Sequence, residues 1–232
     1  MLSIEQLRVV YRTGTRETEA LRCVDLRMAP GEWIGLYGRS GSGKSTLARV
    51  LLRLLPESTE VSATRLEFSG TPLISLTGEA LRKMRGGRIS LLPQEPALAL
   101  NPFLTAEQQL YDAICAHRSM DIKEAQLRAR QLLDRLMGED GSRIWKGYPH
   151  QMSSGQRQRL GLGLALAGGC QLLIADEPTA SVDSVTRFEI LTVLRTIRAE
   201  QNLAMLLISH DRALLRAATD RVVELRDGAI TK

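Results

Sequence analysis

Aromatic side chains are scarce in this chain of 232 residues, at 4%. Proteins that bind single-stranded nucleic acid stack bases on such rings, so no nucleic-acid partner is expected. Cysteine is almost as rare. Cys23, Cys115 and Cys170 are odd in number and far apart, and no pair has the spacing of zinc ligands. They are expected to be reduced, mostly buried thiols of a cytosolic protein. Long apolar runs are missing too. Nothing approaches the roughly 20 residues that a membrane-spanning helix needs; the nearest stretch, "LGLGLALAGG", is short and glycine-rich. The N-terminus has no basic segment followed by an apolar one, so no signal peptide is expected there. A block of one charge is also absent. Lys and Arg number 31 against 26 for Asp and Glu, a net +5. The arginines are spread along the chain, which describes a solvated surface better than a patch for a polyanion.

What is present is the composition of an ordinary globular chain, with 44% apolar and 25% charged residues. The length suits one domain, residues 1–232, with two lobes and ample buried core. Residues 2–11 and 20–28 alternate as strands, joined by the polar turn "RTGTRETE". "EWIGLYG" reads as a short buried strand. A helix is predicted from Lys44 to Leu55, ended by Pro56. Strands "TRLEFSG" and "RISLLP" follow. From about Glu95 to Gly168 the strand pattern disappears. "AEQQLYDAICAH", "IKEAQLRARQLLDRLMG" and the segment after "MSSGQ" are helical by apolar spacing. The sheet pattern returns with "QLLIAD", a helix over 184–200, "AMLLIS", a helix over 211–218 and "RVVELRDG". The fold class is α/β: a sheet-based lobe, 1–94 and 169–232, into which a helical lobe, 95–168, is inserted.

Chemistry concentrates in a few spaced motifs. "GRSGSGKST" places Gly38, Arg39, Ser40, Gly41, Ser42, Gly43, Lys44, Ser45 and Thr46 in the pattern G-x-x-x-x-G-K-[ST]. By chance this pattern arises in a chain of this length at roughly the 1% level. It also lies between a strand and a helix, the context that gives it meaning. The glycines let the backbone curl and aim N–H groups at phosphate oxygens. Lys44 brings a point charge to the β- and γ-phosphates, and the Ser45 hydroxyl can reach Mg²⁺. "QLLIADEP" delivers Asp176 and Glu177 at the end of an apolar strand, where open α/β sheets build their sites. Asp176 is placed to hold Mg²⁺, and Glu177 can act as general base toward water. Alone, such a carboxylate pair is more often a helix cap. "MLLISHD" ends a strand at His210, a donor suited to a γ-phosphate, although a lone histidine is usually structural. Gln94, after "RISLLP", can touch both metal and water; taken singly it is a turn glutamine. "MSSGQRQR" repeats the small, amide-rich opening of a helix at Ser153, Ser154, Gly155 and Gln156, a second place for an anion.

The order Tyr11, "GRSGSGKST", Gln94, "MSSGQRQR", "LLIADEP", "SVD" with Asp183, and "SHD" resembles the ATPase subunits of ABC (ATP-binding cassette) proteins over essentially the whole chain. The resemblance implies a P-loop NTPase fold with a mixed, largely parallel central sheet, an antiparallel β portion near the N-terminus and a helical lobe. It implies ATP and Mg²⁺ as cofactors and a head-to-tail dimer of two such subunits. Ser153, Gly155, Gln156 and Asp183 would then serve the partner's ATP, and Tyr11 would stack on the adenine. The family usually reads L-S-G-G-Q; here Met152 and Ser154 depart from it. "QEPALALNPFLTAEQQL", "YPHQMSSGQRQR" and "LIADEPTASVDSVTRFEIL" are similar to the peptide and nickel importers' ATPases, whose subunits often carry a C-terminal extension and commonly pair as two different chains. This implies a peripheral protein at the cytoplasmic face of the membrane that drives a separate permease. The apolar stretch after Gln94 is expected to dock it, near residues 95–110, since Ala97, Leu98, Leu100, Phe103 and Leu104 cannot all face inward in so short a segment. Two other classes compete: a non-transport ABC ATPase acting on nucleic acid or a protein complex, and a P-loop kinase or GTPase. The latter leaves "MSSGQ" without a role.

Overall fold

The computed structural model describes residues 1–178 and 184–231. In chain order its strands are β1 (Leu2–Thr13), β2 (Arg16–Met28), β3 (Trp33–Tyr37), β4 (Thr59–Ser62), β5 (Arg65–Phe68), β6 (Thr71–Pro72), β7 (Ile89–Leu92), β8 (Leu172–Asp176), β9 (Ala204–Ser209), β10 (Arg221–Arg226) and β11 (Ala229–Thr231). The helices are α1 (Lys44–Leu51), α2 (Gly78–Met84), α3 (Ala106–Cys115), α4 (Ile122–Met137), α5 (Gly141–Ile144), α6 (Ser154–Ala167), α7 (Ser184–Gln201) and α8 (Arg212–Ala218). The chain forms two compact units, Met1–Arg82 with Ala204–Lys232, and Lys83–Leu203.

The first unit holds two sheets. One is antiparallel, in the order β2-β1-β5-β6 with β4 also on β1. In the other, β3 lies between β10 and β9, parallel to both, and β11 closes the edge antiparallel to β10. β9 is buried at every position, and β3 at all but its last. Such continuous apolar strands belong in the middle of a covered parallel sheet. The hairpin of β1 and β2 is longer than the sequence pattern suggested, with pairing running out to Thr13↔Arg16. Exposed cross-strand pairs carry it there, Arg12 with Glu17 at 3.0 Å and Arg8 with Glu19, so alternation of apolar residues was the wrong guide. Conversely, α1 stops at Leu51, short of Leu55. Arg53 takes a positive φ of 51° and the Leu54 N–H turns back to the Arg49 carbonyl, an αL ending of the kind that closes many helices.

The second unit carries the parallel pair β7–β8 and the helices α3 to α7. No strand interrupts 95–168 among the described residues. Its core gathers Leu110 and Ile114 of α3, Ala129 and Leu133 of α4, Ile144 of α5, Met152, and Leu160 of α6. Burying a leucine side chain of this kind contributes about 1.5–3 kcal/mol, against about 0–1 kcal/mol for an exposed ion pair such as Arg128–Glu124. The helical packing, not the surface charge, therefore holds this unit.

The cysteines depart from expectation. Cys170 is buried, but Cys23 and Cys115 are exposed. Cys23 has a φ of 52° where the β1–β2 ladder shifts register between Leu7↔Val24 and Val9↔Leu21; Gln6, at the neighbouring shift, has a φ of 53°. Such bulges turn a side chain away from its regular face. Cys115 is the last residue of α3, outside the buried stripe of that helix. Burial pushes the Cys170 thiol up to about 12, so at pH 8 it is neutral as well as hidden. Iodoacetamide at pH 8 is expected to modify two thiols in the folded protein and the third only after denaturation. Equal labelling of all three in the native state would contradict the burial.

Candidate nucleotide-binding site

The phosphate loop follows β3 and opens α1. Gly43 is the N-cap of α1, with a φ of 104° and no side-chain cap bond, and no acidic residue lies in the first turn. The first amides of α1 thus have no capping side chain, and the positive end of the helix dipole faces outward. Gly41 is exposed, with a φ of 79°. A Cβ at Gly43 would stand 2.6 Å from the Ala20 carbonyl oxygen, and one at Gly38 would collide with the carbonyl of Leu225. These two glycines are therefore demanded by backbone pressed against backbone.

Lys44 is only 8% exposed. Its Nζ donates to the carbonyl oxygens of Gly38, at 2.8 Å, and Arg39, at 2.9 Å. The loop's own carbonyls thus hold the ammonium beside the amides of α1. The Ser42 Oγ is buried without a hydrogen-bond partner among the described residues. Arg39, Ser40 and Ser45 are exposed and Thr46 is half-buried. The Tyr11 hydroxyl lies 3.3 Å from the Thr46 Oγ1, so the structure ties this ring, half-buried at the edge of β1, to the loop. His210 immediately follows β9 and is exposed. It precedes Asp211, whose N–H donates to the Ser209 Oγ and whose carboxylate caps α8 through the Leu214 N–H. The turn that presents His210 is thereby fixed.

In the second unit, Asp176 ends β8 and Glu177 follows with a φ of 48°. For a non-glycine residue that conformation costs about 1–2 kcal/mol and re-aims the side chain relative to a continuing strand. The next residue is pinned: the buried Gln158 of α6 donates its amide to the Pro178 carbonyl. Sequence reasoning missed Gln158, since a glutamine inside "QRQRL" carries no signal of its own. Gln94 lies two residues beyond β7 and is exposed. Asp183 lies outside the described residues.

The "MSSGQ" turn, the signature turn of this chain, is a capping box. The Ser153 Oγ accepts from the Gln156 N–H at 3.2 Å, and the Gln156 Oε1 accepts from the Ser153 N–H at 2.9 Å. The other end of the Gln156 amide donates to Asp140 Oδ2 at 2.8 Å. This bond, aided by Arg143, holds the Asp140 carboxyl below its ordinary value. The box uses the amide of Gln156 and leaves those of Ser154 and Gly155 without a capping side chain. It also explains the departures from the usual family pattern. Met152 is buried in the helical core, where a flexible apolar side chain packs well. Ser154 is exposed at the first position of α6, so its side chain has room. At Gly155 a Cβ would stand 3.3 Å from Thr186; the glycine that remains is the one with a close neighbour.

A glycine loop after a buried parallel strand, an uncapped helix behind it and a lysine folded into it define a P-loop nucleotide-binding protein. Residues 21–180 match the family model described as ABC transporter, and the chain belongs to that family. It is an ATP-binding, ATP-hydrolysing cassette of that type. It is 38% identical, over 98% of its length and 69% of the relative's, to a protein of Brucella abortus (strain 2308) named "Putative peptide import ATP-binding protein". It is 36% identical to the "Peptidoglycan transport ATP-binding protein YejF" of Agrobacterium fabrum, over 100% of this chain and 43% of that one. Among solved structures, the ATP-binding cassette MJ0796, a dimer bound to ADP and Pi, superposes with a TM-score of 0.85 at 28% identity, covering 100% of this chain and 97% of that one. Among the described residues no helix is long and apolar enough to cross a membrane.

A base stacked on the Tyr11 ring leads to a simple expectation. Tyr11→Ala should weaken ATP affinity several-fold in equilibrium titration, while Tyr11→Phe, which keeps the ring and loses only the bond to Thr46, should restore most of it. ATP binding by the alanine variant as tight as by the parent would remove the ring from the site.

Proposed function

We propose that this chain is the ATP-hydrolysing subunit of an importer for peptides, bound peripherally at the cytoplasmic face of a membrane through a separate permease. The relatives' names support the cargo class, with nickel or a metal complex as the competing cargo. One observation supports a docked partner of the kind an importer subunit needs: an exposed apolar surface on a braced loop. Leu98 is 80% exposed and Phe103 is 85% exposed, while Leu100 is buried and Leu104 half-buried; the side chain of Ala97 lies outside what is described. Gln109, buried in α3, grips the loop from below. Its Nε2 donates to the carbonyls of Asn101, at 3.1 Å, and Leu104, at 2.9 Å, and its Oε1 accepts from the Asn101 N–H at 2.9 Å. Asn101 Oδ1 in turn accepts from the Phe103 N–H. A braced loop that displays a phenylalanine is a docking surface rather than a frayed segment. The same segment touches the signature helix: Pro96 rests where α6 has Gly161 in place of a side chain. Motion at the docked permease thus has a direct path to α6.

The roles follow residue by residue. The amides of the phosphate loop and Lys44 bind the phosphates of ATP. Ser45 in the first unit, and Asp176 and Gln94 in the second, each offer an oxygen of the kind a hard cation prefers and would hold Mg²⁺, which would neutralise phosphate charge. Glu177 accepts the proton of the attacking water, His210 donates to the γ-phosphate, and the bond to the β-phosphate breaks to release ADP. Ser153, Gly155, Gln156 and Asp183 meet the ATP of a second ABC ATPase subunit paired head to tail, with the uncapped amides at Ser154 and Gly155 directed at its phosphates.

Glu177→Gln should keep ATP binding and lower steady-state turnover by two orders of magnitude or more, because an amide cannot take the proton. Near-normal turnover would remove Glu177 from the base role. Phe103→Asp should fold, bind ATP and fail both to co-purify with the permease and to support transport. Loss of cooperative melting would make Phe103 a core residue instead, and normal assembly would end the docking proposal.

A further inference from the structure

Two hairpin turns of the first unit are near twins. Ser69 and Gly70 connect β5 and β6 with φ values of 48° and 77°; Asp227 and Gly228 connect β10 and β11 with 49° and 79°. Both join paired residues across a two-residue loop, Phe68↔Thr71 in one and Arg226↔Ala229 in the other. Both have the two positive φ values of a type I′ turn. Their surroundings differ. Around Gly70 a Cβ would meet nothing within 4 Å. At Gly228 it would stand 2.8 Å from the Ala20 carbonyl oxygen and 3.3 Å from the Arg22 nitrogen.

The Gly228 turn is wedged against the phosphate loop. Its N–H donates to the Ser42 carbonyl at 3.2 Å, and its own carbonyl accepts from the Arg22 N–H at 2.6 Å. The Ala20 carbonyl that bears on Gly228 also bears on Gly43. Fully buried Leu225 completes the grip. Its carbonyl lies against Gly38, and its Cδ2 lies 3.5 Å from where a Cβ of Gly43 would be. The loop from Gly38 to Gly43 is thus bounded on its outer side by β2 and by the β10–β11 hairpin, through backbone contacts that leave no slack.

We propose that Gly228, with Leu225, is a positioning residue for the phosphate loop: the last hairpin sets the path of residues 38–46 and so the affinity for ATP. The proposal rests on the reading of that loop as the phosphate site. It requires more than a turn that folds well, because the twin turn at Gly70 folds the same way but bonds to the N-terminal end of β1, its Ser69 N–H donating to the Met1 carbonyl, and not to the phosphate loop.

The matched pair supplies the test. Gly228→Ala and Gly70→Ala introduce the same residue at the same positive φ, so both should lower the melting temperature. Only Gly228→Ala should speed amide hydrogen exchange in residues 38–46 of the nucleotide-free protein, and only it should raise the Kd for ATP, by about tenfold. In steady-state ATPase assays the loss should appear in KM rather than kcat. Exchange in 38–46 unchanged by Gly228→Ala, or raised equally by Gly70→Ala, overturns the proposal whether or not ATP binds. A parent chain that fails to bind ATP overturns the phosphate-site reading and leaves the exchange result to decide the positioning claim. If Gly228→Ala does not fold, Leu225→Val trims the same grip more gently. It should raise exchange in 38–46, and unchanged exchange there defeats the proposal.

Discussion

The nucleotide site depends on one constraint: the backbone of the phosphate loop is pressed against the backbone beneath it. A loop that turns its N–H groups inward around an anion must present its other side to the protein. There the Leu225 carbonyl meets Gly38 and the Ala20 carbonyl meets Gly43, and no residue with a Cβ fits. The same packing brings Lys44 into reach of the loop's carbonyls and leaves the first turn of α1 without a capping side chain. As the proposed anion site, this loop is built from omissions, missing side chains and missing caps, held in place by a covered parallel sheet.

The second unit works by the opposite means. Its functional groups are held by side chains that spend their polar atoms on main chain. Gln158 fixes Pro178 beside a strained Glu177, Gln109 braces the loop that displays Phe103, and Gln156 closes a capping box while its other end binds Asp140. Three glutamines act as struts. Each is an uncharged, two-ended group; Gln109 and Gln156 are bonded at both ends, which offsets the cost of taking an amide out of water. The positive φ at Glu177 is the local cost of pointing a carboxylate away from the strand that delivers it.

The turn at the start of α6 is built from small residues and amides. Ser154 and Met152 show how far the signature turn tolerates change: one points to open space, and the other enters a core that accepts any flexible apolar side chain of the right volume. Gly155 has less latitude, since a side chain there would press on Thr186.

By itself the sequence determined the class of the fold, the places of the glycine loop, the carboxylate pair and the histidine at strand ends, and the helical stretch between them. Those features follow local rules. Period-two and period-3.6 patterns, a glycine loop between strand and helix, and a carboxylate pair closing an apolar strand are all legible within a dozen residues. Only the tertiary structure decided the rest. The β1–β2 hairpin extends through polar residues because cross-strand ion pairs, not apolar alternation, line its end. Two cysteines face outward because a bulge and a helix end put them there. Leu100 went inside while Phe103 stayed out because Gln109, several residues away, holds the loop. The grip of Gly228 on the phosphate loop joins residues nearly two hundred positions apart. No local pattern encodes this last contact, because it arises where backbones from distant parts of the chain meet and one of them must give up its side chain.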